Sequence, residues 1–492
     1  MKKFLLCSMI LVVFLFAAAC ASEEQEPEEL ELTILVRQSN VSFMRHMANR
    51  FNDYTGLDVD FTFETYFDWA ASIQDIQTLI LEISTTNEID IFINSSAGIN
   101  SRSQQFLSSF VDLNELIDGE NGINRQNYFD HIFRASEIDG NLYAIPLLIS
   151  PAEPLLVFNR YYADAVGVNL GAYKITTDEM LDFWVQASEL YPDRNLFLNV
   201  PFNLGRVLTP RNIVDMRNQE VNVPTDIEKI ELAMSIPSVH IFYPDTIRNT
   251  VWITSDDFAG SQDLVPSAFY NPFHHRAVAR QFLFEHLDFP LHNPWVSVLQ
   301  DIENIQVGPK MLNPNNNERV PFNVSLSLSI LEQSQQQDLA WDFIRFVLEA
   351  PVYIPEYDDP NPFSNASITR FLDNNIDSAI LIRNFHTNQN IFDDFAGNLL
   401  RQSAIQISNT QVAEFLADIS FSDAEIEQIV QNGLQRYQNI MQMLNYSSYF
   451  VNIWHITSEQ LYLVSNGFQS IEETLLNLQN ALEIFVAEQG GF

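Results

Sequence analysis

Aromatic side chains, more than nucleophiles or metal ligands, are the chemistry this chain offers. They make up 12% of its 492 residues, with 38 phenylalanines, 16 tyrosines and six tryptophans. An aromatic face can lie on the apolar face of a sugar ring while neighbouring hydroxyls and amides satisfy the ring's periphery. Most of these aromatics must fill a core. Trp184, Trp341 and Trp454 fall inside amphipathic helical patterns, which leaves Trp69, Trp252 and Trp295 as the better candidates for a ligand-facing surface. Catalytic signals are sparse: the sequence contains no Gly-x-Ser-x-Gly, no His-Glu-x-x-His and no phosphate-cradling Gly-rich loop with a Lys. Acidic residues are so abundant that a pair such as Asp256 and Asp257 is no evidence for a glycosidase dyad. His274, His275, His286 and His292 cluster in sequence, but their spacing matches no familiar metal-ligand pattern, and surface or core histidines are commoner. No cofactor and no catalytic residue is expected.

The elements that must position any site are legible near both ends of the chain. Thr33-Ile34-Leu35-Val36 is an apolar, β-branched run. It is followed by Met44, Met47, Ala48, Phe51 and Tyr54 at helical spacing, with Ser42 as a potential N-cap and Gly56 as a C-terminal stop. Val59, Phe61 and Phe63 alternate with polar residues as a second strand, Trp69 to Ser84 reads as a second helix, and Ile89 to Ile93 as a third strand. This β-α-β-α-β order implies a parallel sheet covered by helices. Asp139-Gly140 predicts a hairpin turn and Leu155 to Phe158 a buried strand. Ser334 with Gln337, and Ser470 with Glu473, read as capping boxes ahead of two C-terminal helices. Residues 199 to 290, rich in Asn and Pro, carry only broken periodicity.

Lys2 and Lys3 precede an apolar run from Phe4 to Ala19, too short to span a bilayer comfortably and therefore a secretory signal in form. It ends Ala17-Ala18-Ala19-Cys20, which resembles a lipoprotein cleavage site with Cys20 as the acylated residue, although Ala17 stands where Leu is preferred. An ordinary signal-peptidase site is the alternative. The only other cysteine, Cys7, lies inside the removable segment, so no disulfide framework is expected. Ala21 to Glu31 has the composition of a solvated acidic tether. With 25 Lys+Arg against 64 Asp+Glu, the net charge of -39 argues against nucleic acid as a partner.

Four stretches, taken in order, resemble the extracellular solute-binding proteins of ABC importers, the maltose-binding-protein-like family 1. They are Phe51 to Val59; Glu88 to Ile91 followed by Phe110 to Leu116; Asp139 to Pro146 leading to Leu156-Val157-Phe158-Asn159; and Gly308-Pro309 through Ala340 to Ile344. Each is weak alone and their order is what is specific. The resemblance implies an α/β, two-lobed periplasmic-binding-protein-like fold of type II, with parallel-rich sheets, flanking helices and a ligand cleft. It places a signal peptide at 1-19, anchor and tether at 20-31, a first lobe at 32-146 and 308-350, and a second at 147-307 and 351-492. The first crossover would lie near Leu147 to Pro154.

By the same resemblance, ligand-binding groups would be Gln38, Ser39 and Asn40 after the first strand, Ser95 and Ser96 after the third, and Glu153 in the crossover. Trp295 would be a stacking aromatic, alongside Trp69 and Trp252. Loops at the carboxyl ends of strands are where open α/β sheets bind ligands, although each polar residue could equally be a cap or turn residue. The expected role is a non-enzymatic, monomeric, lipid-anchored protein on the outer face of the cytoplasmic membrane. It would capture a small polar solute, foremost a sugar or oligosaccharide, for a membrane permease. The alternatives are an extracellular glycan-acting hydrolase and a ligand-sensing lipoprotein coupled to a membrane receptor.

Overall fold

The first strand, β1 (Glu31–Arg37), buries Leu32, Ile34, Leu35 and Val36, as its apolar run requires of a strand covered on both faces. It belongs to a computed structural model that describes residues 30–66, 79, 81, 89–94, 107–151, 155–159, 186, 189–190, 213–215, 220–223, 225–228, 231, 238–240, 250–252, 284–287, 298, 305–309, 320–350, 384–409, 420–447, 454–465 and 467–490. After β1 the chain makes one 3-10 turn and enters α1 (Val41–Thr55), whose buried face is Phe43, Met44, Met47, Ala48 and Phe51. Gly56 ends the helix at φ 70°, with its N–H on the Asn52 carbonyl at 2.8 Å. Only glycine adopts that left-handed conformation cheaply. Two details differ from expectation. Ser42 lies within the helix and does not cap it, and Tyr54, on the helical apolar spacing, stands 80% exposed.

Strand β2 (Asp60–Tyr66) pairs parallel with β1 from Glu31↔Asp60 to Arg37↔Tyr66, and β3 (Ile91–Asn94) pairs parallel with it on the other side. Asp90 ties this edge together. Its carboxylate accepts the Thr33 N–H at 2.9 Å and the Ser334 hydroxyl at 2.6 Å, so the acid beside β3 is structural. A short helix, α2 (Leu113–Ile117), is capped by Asp112, whose Oδ1 accepts both the Asn114 N–H (3.1 Å) and the Leu142 N–H (3.0 Å). After α3 (Asp130–Ser136), the predicted hairpin turn is present: Ile138 pairs with Asn141 across Asp139 (φ 53°) and Gly140 (φ 90°). Positive φ at both central residues suits Asp-Gly.

The chain then runs through β4 (Ile145–Pro151) into β5 (Leu155–Asn159). Leu147 to Pro151 were expected in a crossover, yet they form the strand that β12 (Pro321–Ile330) pairs with antiparallel. Pro146 is tolerated because the register shifts beside it. Leu326 opposes Leu148 while Ser327 opposes Pro146, so Leu147 is an extra residue, a bulge where a missing N–H costs little. Strand β5 joins a separate antiparallel sheet. The small strands β6 (Val214–Asp215) and β7 (Glu220–Val221) pair with each other, as do β8 (Ser238–His240) and β9 (Thr250–Trp252). Strands β10 (Phe284–Leu287) and β11 (Ile305–Pro309) flank β5. Gly308-Pro309 therefore does not begin the return to the first sheet. That return is β12, which lies antiparallel between β3 and β4.

Helix α4 (Gln337–Glu349) follows β12 and buries Trp341, Phe343, Ile344 and Val347. The expected capping box is absent here: Ser334 accepts the Gln336 N–H and gives its own proton to Asp90, while Gln337 reaches the Glu332 carbonyl. The sheet is completed by β13 (Phe385–His386), antiparallel to β4, giving the order β13-β4-β12-β3-β1-β2. Helices α5 (Gln389–Asn409) and α6 (Asp423–Met443) precede β14 (Tyr446–Ser447), which pairs parallel with β12. Phe385, Phe392, Leu400, Tyr437 and Met441 share one core with Ile149 and Phe343. These late segments thus pack on the first sheet, where a second lobe at 351-492 was expected. Amphipathic spacing says that a helix buries a face and not which partner it buries it against. Helices α7 (Trp454–Ser465) and α8 (Ile471–Gly490) close the chain. Ser470 accepts the Glu473 N–H at 3.1 Å ahead of α8, and Leu482 and Val486 pack on Ile213 and Val214. No helix among the described residues is long and apolar enough to cross a membrane.

Candidate functional site

Because β1, β2, β3 and β4 all run the same way, their carboxyl ends make one edge, and the register fixes which residues meet there. Arg37 lies opposite Tyr66; Val36 lies opposite Ile93, so Arg37 is level with Asn94; and Asn94 lies opposite Ser327 of β12, which lies opposite Pro146. Strand pleating turns residues of one such row to one face. Tyr66, Arg37, Asn94 and Ser327 thus form a polar row at the end of the sheet face that carries Leu35 and Phe92.

Each member is held by its strand. The Tyr66 hydroxyl, on a residue 8% exposed, donates to the Ile93 carbonyl at 3.1 Å. Asn94 and Ser327 are buried, and Ser329, one pleat inward, is fully so. Among the described residues the Ser327 and Ser329 hydroxyls have no hydrogen-bond partner, which is unusual for buried polar atoms. Further along β12, Ser325 is the extra residue of a second bulge and its hydroxyl meets that of Ser150 at 3.3 Å. The row brings hydroxyls, an amide and a guanidinium together at the sheet's carboxyl edge, with Tyr66, Asn94 and Ser327 buried.

Of the residues singled out by sequence, Gln38, Ser39 and Asn40 stand where expected. They form the 3-10 turn that leaves β1 at this edge, with Gln38 and Ser39 exposed and Asn40 half-buried. Trp252 ends β9. Trp69, Ser95, Ser96, Glu153, Trp295 and Cys20 lie outside the described residues. Sequence reasoning missed Arg37, Tyr66, Asn94 and Ser327. One signal was available: Ser325, Ser327 and Ser329 alternate with Leu326 and Leu328 in a segment otherwise apolar enough for a central strand.

No family model matches the chain, and no curated protein matches it. Solved structures similar to it, all at low identity, include sugar and oligosaccharide binding proteins and an extracellular solute-binding protein of family 1. A sugar transporter of Rhizobium etli in an open conformation is 12% identical, with 92% of this chain and 99% of that one covered and a TM-score of 0.48. A periplasmic oligogalacturonide binding protein of Yersinia enterocolitica is 13% identical, with 94% and 100% covered and a TM-score of 0.49. A de novo designed esterase also matches, at 13% identity, 94% and 99% coverage and 0.49. A likeness of this degree does not separate binding from catalysis. The fold is established by the chain's own strand order: a mixed sheet flanked by helices.

The perturbed titrating groups stand apart from the polar row and have structural causes. The Arg125 guanidinium holds Asp118 below the usual carboxylate range, with Nε–Oδ1 at 2.7 Å, and also pairs with Asp130 at 2.9 Å. Burial pushes His386 down to about 3. Burial likewise raises Glu137 and Asp393, the latter opposed by a hydrogen bond from Gln438. Among the described residues these groups do not converge on the carboxyl edge as a general acid and base would.

Proposed function

We propose that this chain is the lipid-anchored, extracytoplasmic solute-binding component of an ABC-type importer. It captures a small polar solute, foremost a sugar or oligosaccharide, in a cleft between two lobes and delivers it to a membrane permease. The observation that carries this reading is the path of β12. The chain leaves the first sheet at Pro151, builds a separate sheet from β5, β10 and β11, and returns at Pro321 to lie antiparallel between β3 and β4. An insertion entered and left at one edge gives two connected bodies, and a hinge needs only a few residues in such connections. Lobe closure about the passage after Pro151 would enclose a ligand over the polar row.

The sequence candidates Gln38, Ser39, Asn40, Ser95, Ser96 and Glu153 supply hydrogen bonds in this reading, with Trp69, Trp252 and Trp295 as stacking surfaces. Cys20 carries the lipid, and the protein works as a monomer. A thermal-shift screen of mono- and oligosaccharides, amino acids, polyamines and peptides tests it, since a ligand that binds only the folded state raises Tm by mass action. A saccharide should raise Tm and emerge unhydrolysed, and scattering should show a smaller radius of gyration at saturation. Turnover of the bound glycan, or no shift from any saccharide, would overturn the reading. Wild-type protein released from cells without detergent, to the same extent as Cys20→Ser, would remove the anchor.

A further inference from the structure

A cavity lies away from the carboxyl edge of the sheet. Helix α1 runs back from the carboxyl end of β1 and stops at Gly56, just ahead of Asp60, which pairs with the first residue of β1. Between its last turn and the last turn of α4 is a cavity of about 840 Å³. Its wall is aromatic: Tyr54 meets Phe346 at 5.5 Å between ring centroids, and Phe51 meets the same ring at 5.6 Å in a T-shaped contact. Tyr54 is 80% exposed, so its ring is open to solvent.

The charges around the wall decide its chemistry. Arg345 is already satisfied, by Asp342 at 3.0 Å and the Asn121 carbonyl at 2.8 Å, and Arg50 is engaged through Nη1 with the Met47 sulfur at 3.9 Å. Asp53 and Glu349 also line the cavity, both are exposed, and neither has a hydrogen bond or ion pair among the described residues. Two helices end here, at Gly56 and Ala350, so two negative macrodipole ends point at one space. The chain's net charge of -39 adds a long-range pull on cations. Aromatic faces with carboxylates at the rim attract an ammonium group through the ring quadrupole and through charge.

We propose that this cavity binds a small organic ammonium ion, independently of the solute held between the lobes. Choline and its uncharged carbon isostere, 3,3-dimethyl-1-butanol, are the probes, titrated by ligand-observed NMR into the full chain at fixed ionic strength. Choline should bind saturably, at least about tenfold more tightly than the alcohol. Tyr54→Ala should weaken choline about tenfold while Tyr54→Phe retains it, and Glu349→Gln with Asp53→Asn should weaken it further. Tyr54 is mostly solvent-exposed, so an unchanged Tm checks that the variant is folded. Equal binding of the two probes, choline binding unchanged in Tyr54→Ala, or no saturation below about 10 mM would overturn the assignment.

Discussion

His386 makes the folded chain sensitive to mild acid, and the size of the effect follows from its position. The residue is 4% exposed, lies in β13 against β4, and its Nδ1 accepts the Asn388 N–H at 2.9 Å ahead of α5. Burial disfavours the imidazolium and lowers the pKa from 6.5 to about 3. The acceptor role of Nδ1 reinforces this, because a protonated nitrogen would face the donor N–H. Below pH 6.5 the unfolded chain takes up a proton at this site and the folded chain does not. Its contribution is therefore fully present above pH 6.5 and declines as pH falls towards 3. At pH 5 the loss is set by the unfolded pKa alone: 1.5 pH units at about 1.36 kcal/mol each, or about 2 kcal/mol. Asparagine can keep an acceptor two residues before an N–H, so His386→Asn removes the titration while preserving the turn. Urea denaturation of both proteins at pH 7.5 and pH 5 measures it. The variant starts less stable because of the lost ring, but the wild type should lose about 2 kcal/mol more between the two pH values. Equal losses would show that His386 is not held neutral.

Three further substitutions test the framework that presents the polar row. Phe343, fully buried with ring contacts to Phe51 at 5.5 Å and Phe61 at 5.0 Å, should cost about 3–5 kcal/mol as Phe343→Ala, read from thermal or urea melts. Asp112→Ala removes a helix cap and the acceptor for Leu142, and should cost about 1–3 kcal/mol, with Asp112→Asn recovering part of it. Gly140→Ala, at φ 90° with open space around the added methyl, should cost about 1–2 kcal/mol from backbone strain alone; no change in stability would mean the turn has another conformation in solution.

The first three strands were legible because local rules suffice for them. The apolar run of β1, the Gly56 stop and the Asp139-Gly140 turn depend on neighbours a few residues away, and each stands where the sequence puts it. Of the expected caps, Ser470 caps α8, while Ser334 was drawn off by Asp90, a residue remote in sequence. Cap chemistry is a competition that a distant carboxylate can win. A complete capping box, Ser422 with Glu425, stands ahead of α6, where the sequence pattern was not assigned.

By itself the sequence determined the β-α-β start, the export-signal pattern of the first residues, the acidic surface and the absence of recognisable catalytic motifs. It also determined that Gln38, Ser39 and Asn40 leave the end of a strand. Only the tertiary structure decided that β12 is the returning strand, that α5 and α6 complete the first core, and that Arg37, Tyr66, Asn94 and Ser327 share a row. It also decided that Tyr54, on a core-like helical spacing, faces a cavity. The physical reason is common to all four. Periodicity encodes which side of an element is buried, whereas pairing and register depend on contacts between segments that lie far apart in the chain.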